Sequence, residues 1–476
     1  MVKDFLKEGS IYAIASIASK GISLLLIPVF TFYFSARDFG RIEILYILSL
    51  FAAGIFSWQI SQSLLRYIGE HQNDNIRKKY LSSTALFFVL VSFAFGTTLC
   101  IIFGTQILEL FNLQDSISHK TFSLAMLAVF LNGIFAFFGS HLQALRKKKQ
   151  YALSNFLHSF LGILATYVLV IHLDKSINGI FYATLLTAPV TLVYQFTALR
   201  SEYQWLFSQS ILKQLLAYSL PLLPAAMALI ILSISDRIML NLMTNINTLG
   251  IYSVALKFAF GLSIIINGFA MAINPLTFQN YQEQNTKNQI SEMLSAYIKL
   301  GATVVIILSL FSREIVTILT QAQYFKAQLV MPMLFVAVWV NGITMFAMGL
   351  HITKKTTHIS LITLLTVGLN ILLNLYLIPK FDIKGAALAN LIAAALNTAL
   401  LVYHSLKAFS LKIKFPDAVI VASTIILVIF VSTAAIGNIF AGVAWFIKVF
   451  FSVLLITVMV HYFVKNKSLI DKVKLQ

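Results

Sequence analysis

Apolar runs of about twenty residues recur along the whole chain, separated by short polar turns. Each is long enough to cross about 30 Å of hydrocarbon as a helix. Hydropathy and helix breakers together predict fourteen transmembrane helices, at residues 10–36, 40–65, 80–104, 119–144, 151–172, 177–199, 212–235, 248–278, 293–318, 328–350, 357–378, 384–406, 417–436 and 440–463. The first and eighth exceed the minimum span, so tilt or a kink is expected there, with Pro28 and Pro275 as kink sites. The first run follows the charged start MVKDFLKEG and lacks a small-residue cleavage pattern, so it reads as a retained span. The predicted fold class is an all-α polytopic membrane protein.

Composition strengthens that assignment. Of 476 residues, 59% are hydrophobic and 11% charged, where a globular domain carries about 25% charged residues. A soluble enzyme with an anchor, a porin-like barrel and a disordered chain are thereby excluded. In a soluble protein the net charge of +18 would suggest nucleic acid; in a membrane protein the placement of the charges matters more. With the N-terminus inside, 22 of the 35 basic residues fall on the inner side and 8 on the outer side. The remaining five, Lys20, Lys257, Lys299, Arg313 and Lys448, lie within spans. This asymmetry predicts both termini in the cytoplasm and needs no nucleic-acid partner.

An internal duplication organises the spans. The turn ARDFGRIEIL recurs as INTLGIYSVAL, Gly40 matching Gly250 at an offset of 210. LRKKKQ recurs as ITKKTT, Lys147 matching Lys354 at 207, and INGIFYA as IKGAALA, Gly179 matching Gly385 at 206. The expected organisation is a six-helix bundle at 1–205, a second at 206–410, and two further helices with a cytoplasmic tail at 411–476. Six is even, so the bundles run parallel, and parallel repeats place a substrate cavity between them.

Polar residues inside spans are costly, about 2.5–3.5 kcal/mol for a central charge, and so mark candidate chemistry. Ser16, Ser19, Lys20 and Ser23 form one stripe at helical spacing, and Gln59, Gln62, Ser63 and Arg66 form a second. Ser253, Lys257, Asn267 and Asn274 form a third, within about a 100° arc. Each stripe carries a base, which implies an electropositive polar cavity. Helix–helix contacts would also place Ser and Gln in stripes, and Arg66 also fits a positive-inside anchor. Lys299, Arg313 and Lys448 lie within snorkelling reach of an interface. The 17 acids fall mainly in turns, with Glu43, Asp236 and Glu314 nearest membrane depth. Deep lysines without equally deep acids favour an anionic cargo such as phosphate or pyrophosphate. Asp236–Arg237, at the predicted outer end of helix 7, reads as a gate, a coupling pair or a simple interfacial ion pair.

The sequence also lacks several kinds of machinery. One cysteine, Cys100, excludes intramolecular disulfides and Cys-based metal sites. There is no phosphate-binding loop, HExxH or GxSxG motif, so neither ATP hydrolysis nor a cofactor is expected. The nine histidines are scattered, with His141, His351 and His358 beside cytoplasmic turns.

Four segments, SKGISLLLIPVFTFYFSARDFGRIEIL, SLPLLPAAMALIILSISDRIMLN, LGIYSVALKFAFGLSIIINGFAMAINP and NLYLIPKFDIKGAALANLI, carry a family resemblance. With Asp236–Arg237, the Gly250-Ile251-Tyr252 turn and Ile378-Pro379 before Gly385-Ala386-Ala387, the chain resembles bacterial O-antigen (Wzx-type) polysaccharide flippases. These belong to the multidrug/oligosaccharidyl-lipid/polysaccharide exporter superfamily. The resemblance implies alternating access by two six-helix bundles around a central cavity in the bacterial inner membrane. It implies an undecaprenyl-pyrophosphate-linked oligosaccharide as cargo, with the glycan polymerase and chain-length machinery as partners. On it, Lys20, Lys257 and Arg66 would hold pyrophosphate. Asn267, Asn274, Gln59 and Gln62 would meet sugar, with Ser16, Ser23 and Ser253 beside them. The alternatives are a cation-coupled antiporter of the same superfamily, disfavoured by the lack of a mid-membrane carboxylate, and a membrane glycan polymerase or ligase, disfavoured by short outer loops.

Overall fold

A computed structural model describes residues 27–71, 74–204, 206–263, 266, 284–353, 356–409, 411, 415–433 and 448–457, and among these the regular structure is helical, with no strand. Nine helices among the described residues are long and apolar enough to cross a membrane, or ten if one pair bent by 51° counts as a single span. Shorter apolar helices at Ile246–Phe260, Phe415–Ile429 and Lys448–Thr457 accompany them. The chain is a multi-pass membrane protein. Most of the predicted first span lies outside the described residues.

Two compact units divide the chain, 1–253 and 254–476. The first contains α1 (27–33), α2 (Ala36–Phe56), α3 (Ile60–Glu70), α4 (Asn75–Ile102) and the short α5 (Gly104–Leu110). It continues with α6 (His119–Ala144), α7 (Lys148–Tyr167, extended by one π-helical turn), α8 (Asn178–Leu199), α9 (Gln209–Ser219) and α10 (Leu223–Met243). α11 (Ile246–Phe260) begins in this unit.

Short polar residues start three of these helices, α2, α4 and α6. The Ser35 hydroxyl accepts the Asp38 N–H at 3.1 Å, Asp74 the Arg77 N–H at 2.9 Å and Ser118 the Thr121 N–H at 3.2 Å, each occupying an otherwise orphaned donor. Helix α6 is apolar nearly all round and sits at the centre, against α2, α3, α4 and α8. On α4, by contrast, Phe87, Val91, Phe95 and Leu99 are exposed four residues apart. That apolar stripe fits a helix facing lipid.

The second unit holds α12 (Gln284–Leu310), α13 (Ser312–Leu319), a 3₁₀ segment Ala322–Leu329, α14 (Met331–Gly342) and α15 (Gly349–Ile352). It ends with the paired α16 (Thr356–Phe381) and α17 (Ile383–Ala408), then α18 (Phe415–Thr433) and α19 (448–457). Helix α14 is the buried axis, with Met331, Phe335, Trp339 and Val340 all enclosed.

Several spans differ from the sequence expectation. The second is broken at Ser57–Gln59, where Trp58 and Gln59 adopt left-handed φ values of 45° and 54°. The Ser57 hydroxyl donates to the Gly54 carbonyl at 2.9 Å, and Trp58 packs edge-on against Phe88 at 6.0 Å, so side chains hold a break that no Gly or Pro announces. The seventh runs on to Met243; in the eighth, α11 ends at Phe260 with a turn at Gly261, Leu262, Ser263 and Ile266 are helical again, and most of the span beyond lies outside the described residues. The tenth is assembled from α14, a 3₁₀ turn and α15.

Candidate functional site

Helices α2 and α11 cross at the residues that the duplication aligns. Ser35 and Asn245 occupy equivalent positions and act alike: Ser35 accepts the Asp38 N–H, and Asn245 accepts the Thr248 N–H at 2.9 Å. One turn on, a Cβ at Gly40 would lie 1.9 Å from the Ile246 carbonyl oxygen, and one at Gly250 would lie 1.9 Å from that of Ala36. Ala36 and Ile246 are themselves 210 apart, like the two glycines. The contact is thus reciprocal, backbone on backbone, and only glycine leaves room for it.

Just beyond this crossing lies a buried ion cluster. Glu43 of α2 and Asp236 and Arg237 of α10 are 3%, 5% and 6% exposed. Arg237 donates through one guanidinium nitrogen to the Glu43 carboxylate and through another to the Ser233 carbonyl. Asp236 accepts the Arg237 backbone N–H at 2.8 Å and the Tyr252 hydroxyl of α11 at 2.8 Å. The Arg237 Nε stands 3.8 Å from the Asp236 carboxylate. Three helices are therefore tied by charge-assisted bonds away from water. The two acids are deep, and both are engaged within the protein. Asp236–Arg237 sits inside α10, which continues past it to Met243, rather than at a helix end. The charges look like a boundary in sequence, but Glu43 and Tyr252 satisfy them, and the helix runs on.

Ser16, Lys20, Ser23, Asn267 and Asn274 lie outside the described residues. Ser253 is buried, and Lys257, one turn further along α11, is half-buried. The break in the second span separates Gln59, at the start of α3, from Gln62, Ser63 and Arg66 within it. Gln62 is exposed. Ser63 is buried and donates to the Leu215 carbonyl of α9 at 2.7 Å. Arg66 is exposed, pairs with Glu70 at 2.8 Å and lies 4.5 Å from the Tyr218 ring centroid.

Two of the bases expected to snorkel are instead paired. Lys448, 3% exposed, binds Glu314 at 2.6 Å, and Lys299 lies 3.7 Å from Asp417, which also accepts the Ser295 hydroxyl at 3.1 Å. His141 is likewise fully buried rather than interfacial. Its Nε2 meets Ser82 at 3.1 Å and its Nδ1 the Tyr203 hydroxyl at 2.7 Å. Burial and the Glu202 charge push the Tyr203 hydroxyl well above its usual range. Ser83 and Thr84 accept the backbone N–H groups of Gln204 and Ser208 at 3.0 and 3.2 Å, and so fasten the segment after α8 onto α4. Sequence reasoning noted Glu43 but not its partner, and passed over Tyr252, His141 and Tyr203 as a network. Acids and a base of opposite sign at similar predicted depth were the available signal.

Residues 5–281 match the model of a family described as "Polysaccharide biosynthesis protein". Among curated proteins none matches. Among solved structures, the lipid II flippase MurJ in an inward closed conformation superposes with a TM-score of 0.73 at 16% identity, over 96% of this chain and 99% of that one. An inward-facing MATE family multidrug transporter of the MOP superfamily gives 0.66 at 15%, over 84% and 98%. The Vibrio cholerae MATE transporter VcmN in its bent form gives 0.51 at 12%, over 88% and 99%. At these identities the likeness shows the fold that flippase and multidrug transporters share.

Proposed function

This chain belongs to the polysaccharide biosynthesis protein family, and we propose that within it the protein is a flippase. Its cargo is an undecaprenyl-pyrophosphate-linked oligosaccharide, an O-antigen or similar repeat unit, moved from the cytoplasmic to the periplasmic leaflet of the bacterial inner membrane by alternating access. The observation that carries this is a whole-chain likeness to a lipid II flippase in a chain of this family. Lys20, Lys257 and Arg66 hold the pyrophosphate. Asn267, Asn274, Gln59 and Gln62 offer hydrogen bonds to the sugar, with Ser16, Ser23 and Ser253 beside them. The Glu43–Arg237–Asp236–Tyr252 cluster is the gate: it holds α2, α10 and α11 together at one end, and must part for that end to open.

The MATE likenesses and the buried Glu43 and Asp236 favour a second reading, a cation-coupled small-molecule antiporter. Arg237 and Tyr252 already occupy both carboxylates, which leaves them poorly placed to neutralise a cationic cargo. A glycan polymerase or ligase has no supporting site geometry.

Deletion of the gene, followed by lipid analysis of the inner leaflet, tests the function directly. Accumulation of a lipid-linked glycan is the expected result, and its absence favours the antiporter. For the anion site, Lys20→Ala and Lys257→Ala are expected to lower surface polysaccharide with insertion intact, while Lys→Arg is partly tolerated. Full export by the double alanine variant would remove both lysines from the site.

A further inference from the structure

A cavity of about 420 Å³ opens within the first unit, between α2, α4, α6 and α8, a size inside the range of small-molecule sites, about 300–1,000 Å³. Its walls are apolar, with the Phe93, Phe137 and Phe181 rings among them, and among the described residues no ionisable Asp, Glu, Lys, Arg or His lines it. Set into these walls are Tyr46, Ser49, Ser61, Asn132, Ser140 and Thr184. Tyr46 and Asn132 stand at the midpoints of α2 and α6, and both are exposed.

Depth gives this arrangement its meaning. An amide and a phenol exposed halfway through a span would be costly against acyl chains, so such groups face water or a polar ligand. Among the described residues, Tyr46, Ser49, Ser61 and Asn132 make no side-chain hydrogen bond. The Ser140 and Thr184 hydroxyls donate only to carbonyls one turn back, at 3.0 and 3.3 Å, and keep their lone pairs. A hydrocarbon tail in the cavity would leave these groups unsatisfied. Among the described residues a cation would find no carboxylate there and a phosphate no base. A neutral polyhydroxylated ligand suits both features, its hydroxyls exchanging hydrogen bonds with the Ser, Thr, Asn and Tyr groups and its C–H faces lying on aromatic rings.

We infer that this cavity is a saccharide-binding site, and that it takes the sugar portion of the cargo. The identity of the sugar as cargo rests on the flippase reading; the binding chemistry does not.

The test uses full-length protein in nanodiscs, in a Cys100→Ser background carrying Asn132→Cys or Ser49→Cys. A charged, membrane-impermeant methanethiosulfonate should label both positions but not Leu186→Cys, whose parent side chain is apolar and exposed on α8. Oligosaccharide released by mild acid from the cells' lipid-linked fraction should slow labelling about threefold when present at about twice its Kd. Sugar-free undecaprenyl pyrophosphate and a quaternary ammonium drug should not. Two positions guard against one variant misfolding. Absence of labelling at both would overturn the water-filled cavity, and equal protection by the bare lipid or by the drug would overturn the saccharide assignment. Protection by sugar in a protein whose deletion accumulates no lipid-linked glycan would leave this site standing and remove the flippase.

Discussion

Arg237 brings five N–H donors into a buried site, and finds the Glu43 carboxylate and the Ser233 carbonyl at two of them. Removing one partner of such a pair leaves a buried charge alone, which costs about 3–5 kcal/mol, whereas replacing both with apolar groups of similar size costs far less. Arg237→Ala and Glu43→Ala should each lower the melting temperature of the detergent-purified protein markedly, and Glu43→Leu/Asp236→Asn/Arg237→Met, which removes all three buried charges, should recover much of the loss. A thermal double-mutant cycle measures the coupling; strictly additive shifts would dissolve the pair. The individual charges were visible in the sequence, because so few acids and bases fall within apolar runs. Their pairing was not. It joins positions 194 residues apart, and helical spacing relates only residues on one helix. For the same reason Lys299 and Lys448 passed as snorkelling bases, although Asp417 and Glu314 meet them.

At the scale of elements, the α2–α11 crossing depends on two glycines whose missing side chains leave room for carbonyls. Gly40→Val or Gly250→Val must push the helices apart, and overpacking of this kind costs about 1–3 kcal/mol. Both should reduce thermal stability and surface polysaccharide in a complementation assay. Gly162→Ala on α7, where a Cβ meets nothing within 4 Å, should instead be neutral or stabilising by up to about 1 kcal/mol. Equal tolerance at all three positions would contradict the close crossing. Elements with strong punctuation were legible: predicted spans at 119–144, 177–199 and 384–406 appear as His119–Ala144, Asn178–Leu199 and Ile383–Ala408. The break after Phe56 was hidden, because the left-handed residues there are Trp58 and Gln59 rather than glycine. The stripe of Gln59, Gln62 and Arg66 presumed one continuous helix, and it divides where the helix does.

At the scale of the whole molecule, class and fold followed from repeated apolar runs, because a bilayer permits few ways to satisfy a backbone. The compact unit at 1–253 extends past the boundary expected from the sequence near 205, and α10 packs on α2 within it, a tertiary preference that hydropathy does not encode. The same whole-molecule view bears on energy supply. No nucleotide-binding motif is apparent in the sequence, so the proposed flippase of an anionic head would draw on a gradient, and the membrane potential would act on the charge of the head itself. A cytoplasm negative by 100 mV favours outward movement of each negative charge by about 2.3 kcal/mol. At about 1.4 kcal/mol per tenfold, that is roughly a fifty-fold bias between leaflets. If the binding lysines belong to the cavity wall and stay behind, the pyrophosphate crosses with its charge uncompensated and the full bias applies. Full-length protein in vesicles with a valinomycin-imposed potassium potential should therefore concentrate the lipid-linked oligosaccharide in the leaflet on the positive side, and reversing the potential should reverse the distribution. A distribution indifferent to the sign of the potential would mean that compensating charge travels with the cargo, which walls of fixed lysines do not allow.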